Sequence, residues 1–296
     1  MTFSLGFLGF GEVGYFMSKG LRGADFGPIA AFDRALLEGG PVAEAIRSRA
    51  EEAGVELFPA LGDLLRETEV LITAVPAKFA PSAAEEVLQL SPKLRFYADV
   101  TTAKPAEKER MEKLFGEQGI AYIDCAMLGP LPNYGHTVPI LASGRGAAEF
   151  AELMNPFGMK IELVEGKAGA ASSIKLVRSV FMKGLEALLV ESFLFAKKSG
   201  AEEIVLASIA ETLKVPFDHT ARRMIAADLV HSERRAFEVG ESIELMRDMG
   251  IEPIMAEAIV KRLKKSAALG MREELGGIPP KTLEEVYEIW RGKNHS

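Results

Sequence analysis

From the N-terminus to about residue 165, short apolar runs alternate with amphipathic segments. The runs cover residues 4–8, 29–32, 70–75, 95–100, 121–123 and 139–142. Several are apolar throughout rather than at alternate positions, as strands covered on both faces are. Between them, residues 12–21, 41–53, 61–66 and 104–118 carry apolar side chains at helical spacing. This alternation predicts a parallel, doubly wound α/β sheet.

After Gly166 the pattern changes. Residues 168–198 contain no proline and only two interior glycines, Gly169 and Gly184. Ile174, Val177, Phe181, Leu185 and Leu188 recur at helical spacing. They predict one helix of roughly 30 residues, about 45 Å at 1.5 Å per residue. The rest, through Trp290, reads as further helices punctuated by Gly200, Pro216, Gly250, Pro253 and Gly270. Two domains are expected, residues 1–166 and an all-helical 167–296 entered through the long interdomain helix. A helix apolar around so much of its circumference needs partners beyond one small domain, which predicts a homodimer or higher homo-oligomer.

The 296 residues are 48% hydrophobic and 26% charged, an ordinary globular composition. A net charge of −7 argues against nucleic acid, because neutralising phosphates takes clustered Lys and Arg. It leaves room for a small anionic substrate. One cysteine, Cys125, excludes an intramolecular disulfide and a Cys-based metal cluster. His136, His219, His231 and His295 show no metal-pair spacing, so no metal is expected. The N-terminus lacks a basic segment and cleavage site, and the apolar stretch 180–196 is broken by Lys183, Glu186 and Glu191. Neither a signal peptide nor a membrane span is expected, and the expected compartment is the cytoplasm.

The first chemical signal is Gly9-Phe10-Gly11-Glu12-Val13-Gly14, which follows a predicted strand and opens a predicted helix. Gly9 permits the tight turn, Gly11 lets backbone approach a pyrophosphate, and Gly14 allows close helix–strand packing. The helix N-terminus supplies amides and the positive end of its dipole. The second strand ends at Asp33, whose carboxylate can accept from adenosine ribose hydroxyls and repel a 2′-phosphate. Arg34 follows, and a guanidinium can pair with that phosphate. NAD is therefore favoured slightly over NADP as the cofactor of a Rossmann domain. Val75 and Pro76, at the end of the run 70–75, are assigned to the same cofactor site. The alternative is a structural glycine turn with a solvated Asp-Arg pair.

Gly6-Phe-Leu-Gly-Phe-Gly-Glu-Val-Gly14, taken with Asp99-Val-Thr-Thr-Ala-Lys-Pro105 and Lys175-Leu176-Val177, resembles the β-hydroxyacid dehydrogenase superfamily. Within it, the chain resembles the branch with a 6-phosphogluconate dehydrogenase-like C-terminal region. The resemblance makes Lys175 the catalytic acid/base. A lysine near the start of the long helix can titrate toward neutral pH when desolvated and exchange a proton with a substrate hydroxyl. A solvated helix lysine is the alternative. One turn on, where the family places asparagine, stands Ser179. Thr101 closes the fifth strand, and the resemblance turns that strand end toward cofactor and substrate; an ordinary strand threonine is the alternative. The family's substrate loop reads Asp-Ala-Pro-Val-Ser-Gly-Gly, whereas this chain reads Asp124-Cys125-Ala126-Met127-Leu128-Gly129-Pro130. Only Gly129 survives of the carboxylate cradle, and Pro130 has no amide to donate. In the helical domain His231, Arg234 and Arg235 form a cationic face, with His231 and Arg235 as candidates to meet an anionic substrate or simply to face solvent.

Together these imply an enzyme exchanging hydride between a nicotinamide and a β-hydroxy acid or related alcohol. Reduction of an imine or bulky carbonyl is one rival, and a non-catalytic dinucleotide-binding sensor is another.

Overall fold

The apolar runs become strands β1 (Leu5–Leu8), β2 (Ile29–Phe32), β4 (Val70–Thr73), β5 (Phe96–Asp99), β6 (Ala121–Met127) and β7 (Pro139–Ser143), and two further strands, β3 (Glu56–Leu57) and β8 (Lys160–Leu163), flank them. The computed structural model describes residues 3–293, so His295 lies outside the described residues. Among these, the chain folds as two compact units that divide between Val180 and Phe181, inside the long helix.

In the first unit the strands lie in the order β3-β2-β1-β4-β5-β6-β7-β8. The first six run parallel in the Rossmann order, and the winding reverses between β1 and β4. Both sheet faces are covered. Val70 and Ile72 join Phe7, Met17 and Leu21 on one side, while Leu71 packs with Leu64, Val87 and Tyr97 on the other. That two-sided burial is why the runs are apolar without alternation. β7 departs from the parallel pattern and pairs antiparallel to β6. The connection 128–138 holds only the short helix Leu131–Tyr134 and a single 3₁₀ turn, with no crossover helix to carry the chain back across the sheet. β3 and β8, the two edges, leave little apolar signature: in β8 only Ile161 is buried.

The second unit holds helices Glu202–Thr212, Phe217–Asp248, Ile254–Ala267, Met271–Glu274 and Leu283–Gly292. Leu229, Val230, Met271 and Val286 form one apolar cluster, and Ile243, Met246 and Ala256 another. Glu191, on the long helix, accepts from Met255 N at 2.7 Å and Ala256 N at 2.8 Å. It thereby satisfies the free amides at the start of the Ile254–Ala267 helix. Among the described residues no helix is long and apolar enough to cross a membrane.

The long helix, Ala170–Lys198, is anchored at its first turn by a buried anion. Asp124, fully buried on β6, accepts from Gly169 N at 2.9 Å and from Ser172 N and Oγ at 2.8 and 2.6 Å. Lys108 donates to it at 2.7 Å, and Ser143 Oγ donates at 3.3 Å. Lys108, itself fully buried, also donates to the carbonyls of Asp99 (3.1 Å) and Thr101 (2.9 Å). Burial alone would raise the Asp124 carboxyl, but the Lys108 charge and the hydrogen bonds from Lys108 and Ser172 outweigh it and hold it below the usual range. Tyr122 OH donates to Asp99 at 2.6 Å, and burial with the Asp99 charge keeps that phenol protonated well above its ordinary range.

Removing one member leaves the other charged and buried without its partner, which costs about 3–5 kcal/mol. Lys108→Met and Asp124→Ala should each lower stability by about that amount in urea unfolding. A single variant within about 1 kcal/mol of wild type would contradict the assignment. The sign with pH follows from the depressed carboxyl. Its contribution is full above the unfolded value of about 3.9 and is lost as pH falls through the folded value. The stability loss of Asp124→Ala should therefore shrink below about pH 4.

Candidate functional site

The glycine turn sits where β1 meets its neighbours at their carboxyl ends. Gly9 has φ +91°, and a Cβ there would meet Ala74 O at 2.8 Å and Val75 Cγ1 at 3.1 Å. The turn therefore closes directly on the end of β4, bringing Val75 and Pro76 beside it. A Cβ on Gly14 would meet Gly9 O and Phe10 Cδ2, both at 2.9 Å, so the first helix packs against the turn's own backbone. Gly11 differs: apart from its chain neighbours, a Cβ there would find no atom of the described residues within 4 Å. Its open side, at the N-terminus of helix Glu12–Gly23, is the space a pyrophosphate takes in this fold. Phe10 is fully buried against Phe7, which takes its side chain out of a ligand's reach. Val13 is half-buried and Glu12 exposed.

Asp33 is fastened to this turn. Its Oδ2 accepts from Phe10 N at 2.8 Å and its Oδ1 from Ala35 N at 2.9 Å. Arg34 reaches instead to Glu86, on the helix Ala80–Gln89. At the neighbouring edge Thr101 N donates to Asp99 Oδ1 at 2.8 Å, while the buried Thr101 Oγ1 has no hydrogen-bond partner among the described residues. An open glycine edge, an acidic residue at the end of β2 and an orphaned hydroxyl beyond β5 fit a dinucleotide.

Lys175 and Ser179 lie half-buried, one turn apart, on the long helix. Lys175 follows Ser172 by three residues, so the Asp124 anchor sets its position. Lys108 ties the same anchor to the Thr101 carbonyl, which links the end of β5 to the helix start. The loop after β6 is folded down. A Cβ on Gly129 would meet the Tyr134 ring at 3.1 Å, so that ring covers the one glycine left of the family cradle. His136 wedges this loop against the first helix: a Cβ on Gly20 would fall 2.0 Å from its Nδ1. Burial, opposed by a hydrogen bond with the Phe157 backbone, keeps His136 below its ordinary value. Cys125 is buried, and burial with the Asp124 charge pushes its thiol far above reactivity.

His231 and Arg235, both half-buried, lie in the second unit on helix Phe217–Asp248, where Arg234 pairs with Glu238. Three features had no weight in the sequence reading: Lys108, Glu86, and the covering of Gly129 by Tyr134. Lys108 had a visible signal, since it shares a helical stripe with the buried Met111 and Phe115 where an apolar residue belongs. No group of three or more His, Cys, Asp or Glu among the described residues is placed to hold a metal.

Known proteins match this architecture. Residues 196–266 match a domain of unknown function, DUF1932. A conserved hypothetical protein from Sinorhizobium meliloti 1021 is 30% identical over 89% of this chain and 88% of its own, with a TM-score of 0.58. A conserved protein described as structurally similar to 3-hydroxyacid dehydrogenases is 29% identical over 93% of this chain and 99% of its own, with a TM-score of 0.58. An imine reductase from Pseudomonas sp. shares the fold at 16% identity, with a TM-score of 0.74 over 92% of this chain and 96% of its own. Residues 4–160, more than half of the sequence, match the NAD binding domain of 6-phosphogluconate dehydrogenase, and the chain belongs to that family of NAD(P)-binding dehydrogenases and reductases.

Proposed function

We propose that the chain is a nicotinamide-dependent dehydrogenase or reductase acting on a small molecule, with NAD slightly preferred to NADP. The observation that carries this reading is the open edge of Gly11 at the β1/β4 reversal, in a turn whose other two glycines are closely packed, Gly9 on the end of β4 and Gly14 on the turn itself. Gly9 and Phe10, whose amides go to Phe32 O and Asp33, shape the turn beside the pyrophosphate, and Gly11, Glu12, Val13 and Gly14 hold it through backbone. Asp33 and Arg34 flank the adenosine ribose, and Val75 and Pro76 line the neighbouring strand end. A bound nicotinamide donates or accepts a hydride. Lys175 moves the proton at the substrate oxygen, and Ser179 and Thr101 orient the substrate by hydrogen bonds. Residues 1–166 carry the cofactor, and residues 167–296 carry substrate contacts, with His231 and Arg235 meeting an anionic group, and the self-association surface.

The leading substrate is a β-hydroxy acid or related alcohol. Reduction of an imine or bulky carbonyl is the second reading. It is favoured by Pro130, which has no amide, and by Tyr134 over Gly129, which together remove the carboxylate cradle. Lys175 weighs against a sensor without catalysis.

Self-association is supported by the long helix, where Val177 (74%) and Val180 (77%) are exposed along with Ile174, Phe181, Val190 and Leu194. So much exposed apolar surface on one element is the mark of an interface.

Two measurements test these readings. Once a turnover screen of hydroxy acids and imines with both cofactors yields a substrate, Lys175→Met should lower kcat about 10²–10⁴-fold while cofactor affinity changes less than about twofold. Near wild-type kcat would remove Lys175 from the chemistry. In light scattering at micromolar concentration the chain should have at least twice its own mass, whereas a monomer would contradict the interface.

A further inference from the structure

The acidic residue at the end of β2 is the usual discriminator between the two nicotinamide dinucleotides. Here Asp33 has a second duty, because each of its oxygens accepts from a backbone N–H that holds the glycine turn or the start of the following helix, which leaves its remaining lone pairs for a ribose. The group best suited to a 2′-phosphate is the next residue. Arg34 is two-thirds exposed at 67%, carries a planar guanidinium that matches phosphate geometry, and stands at the carboxyl end of β2. Its guanidinium is occupied by the carboxylate of Glu86, which lies 52 residues further along the chain on the helix Ala80–Gln89.

We propose that Glu86 is a specificity-determining residue, which withholds Arg34 from a 2′-phosphate and so tilts the chain toward NAD. The proposal rests on the dinucleotide reading given above. Its physical content is competition. The Glu86 carboxylate and a 2′-phosphate are both anions seeking the same guanidinium, and Glu86 also places its own negative charge beside the incoming phosphate. Because the pair is exposed it is a weak latch, so NADP is disfavoured by a modest factor rather than excluded. The neighbouring Glu85 provides an internal control, since it pairs with Arg110 at 2.8 Å on the next helix and not with Arg34.

The test is the dissociation constant of NADPH and NADH, read by cofactor fluorescence on the full chain, with circular dichroism melting to confirm the fold of each variant. Glu86→Gln should tighten NADPH about threefold to tenfold and leave NADH within about twofold. Adding Arg34→Leu to Glu86→Gln should abolish the gain. Glu85→Gln, the same charge change on the same helix, should leave the NADPH to NADH ratio unchanged. The latch is overturned if Glu86→Gln leaves that ratio unchanged, if the gain survives without Arg34, or if Glu85→Gln reproduces it. Should wild type and every variant bind neither dinucleotide while melting normally, the dinucleotide reading itself fails and the latch with it.

Discussion

The buried carboxylate of Asp124 is the constraint on which the arrangement of the first unit turns. A charged group with no solvent access persists only if its lone pairs are filled and its charge is met. Here Lys108 meets the charge, and Ser143, Gly169 and Ser172 fill the remaining positions. Those partners come from β7, from the helix that follows β5, and from the first turn of the long helix. The helix start is therefore fixed to the sheet by a carboxylate at its positive end, where such a charge is favoured. Lys175 inherits its position from this anchor.

A second set of contacts builds the cofactor edge, and its three glycines are not equivalent. Gly9 and Gly14 lack a Cβ because backbone atoms fill the place a Cβ would occupy, whereas Gly11 lacks one beside empty space. Two of these positions serve the fold, and the third has the open side that the proposed dinucleotide needs. Asp33 joins the two roles by holding the turn through Phe10 N while standing at the ribose end of β2. Its replacement would loosen the turn whatever it does to a bound dinucleotide. Variants of Glu86 and Arg34, which make no hydrogen bond to the turn among the described residues, test preference without that disturbance.

Much of this was legible in the sequence, for physical reasons. Residues 29–32 are read as a strand and β2 is Ile29–Phe32; residues 61–66 are read as a helix and the helix is Leu61–Arg66. Burial on both faces, or on one helical stripe, writes itself directly into residue type. The long helix is similarly legible, since proline is absent from it and Gly200, in the left-handed region at φ +67°, follows its end. What could not be read depends on neighbours distant in the chain. Nothing local to Asp124 shows that Ser172 will reach it, nor does anything local to Arg34 show its pairing with Glu86. The edge strands β3 and β8 escaped notice because exposed edges need few apolar residues. His136 has the same character: it looks like an isolated loop histidine until Gly20 is found beneath it.

The central claim is that the Gly11 edge is kept open for a dinucleotide rather than for packing, and Gly11→Ala tests it most directly. Among the described residues nothing beyond its chain neighbours stands within 4 Å of the added methyl, so the melting temperature should stay within about 2 °C of wild type. The methyl would lie where a pyrophosphate must approach backbone closely, so affinity for NADH and NADPH should fall together by an order of magnitude or more. Unchanged affinity for both, with the fold intact, would contradict the account.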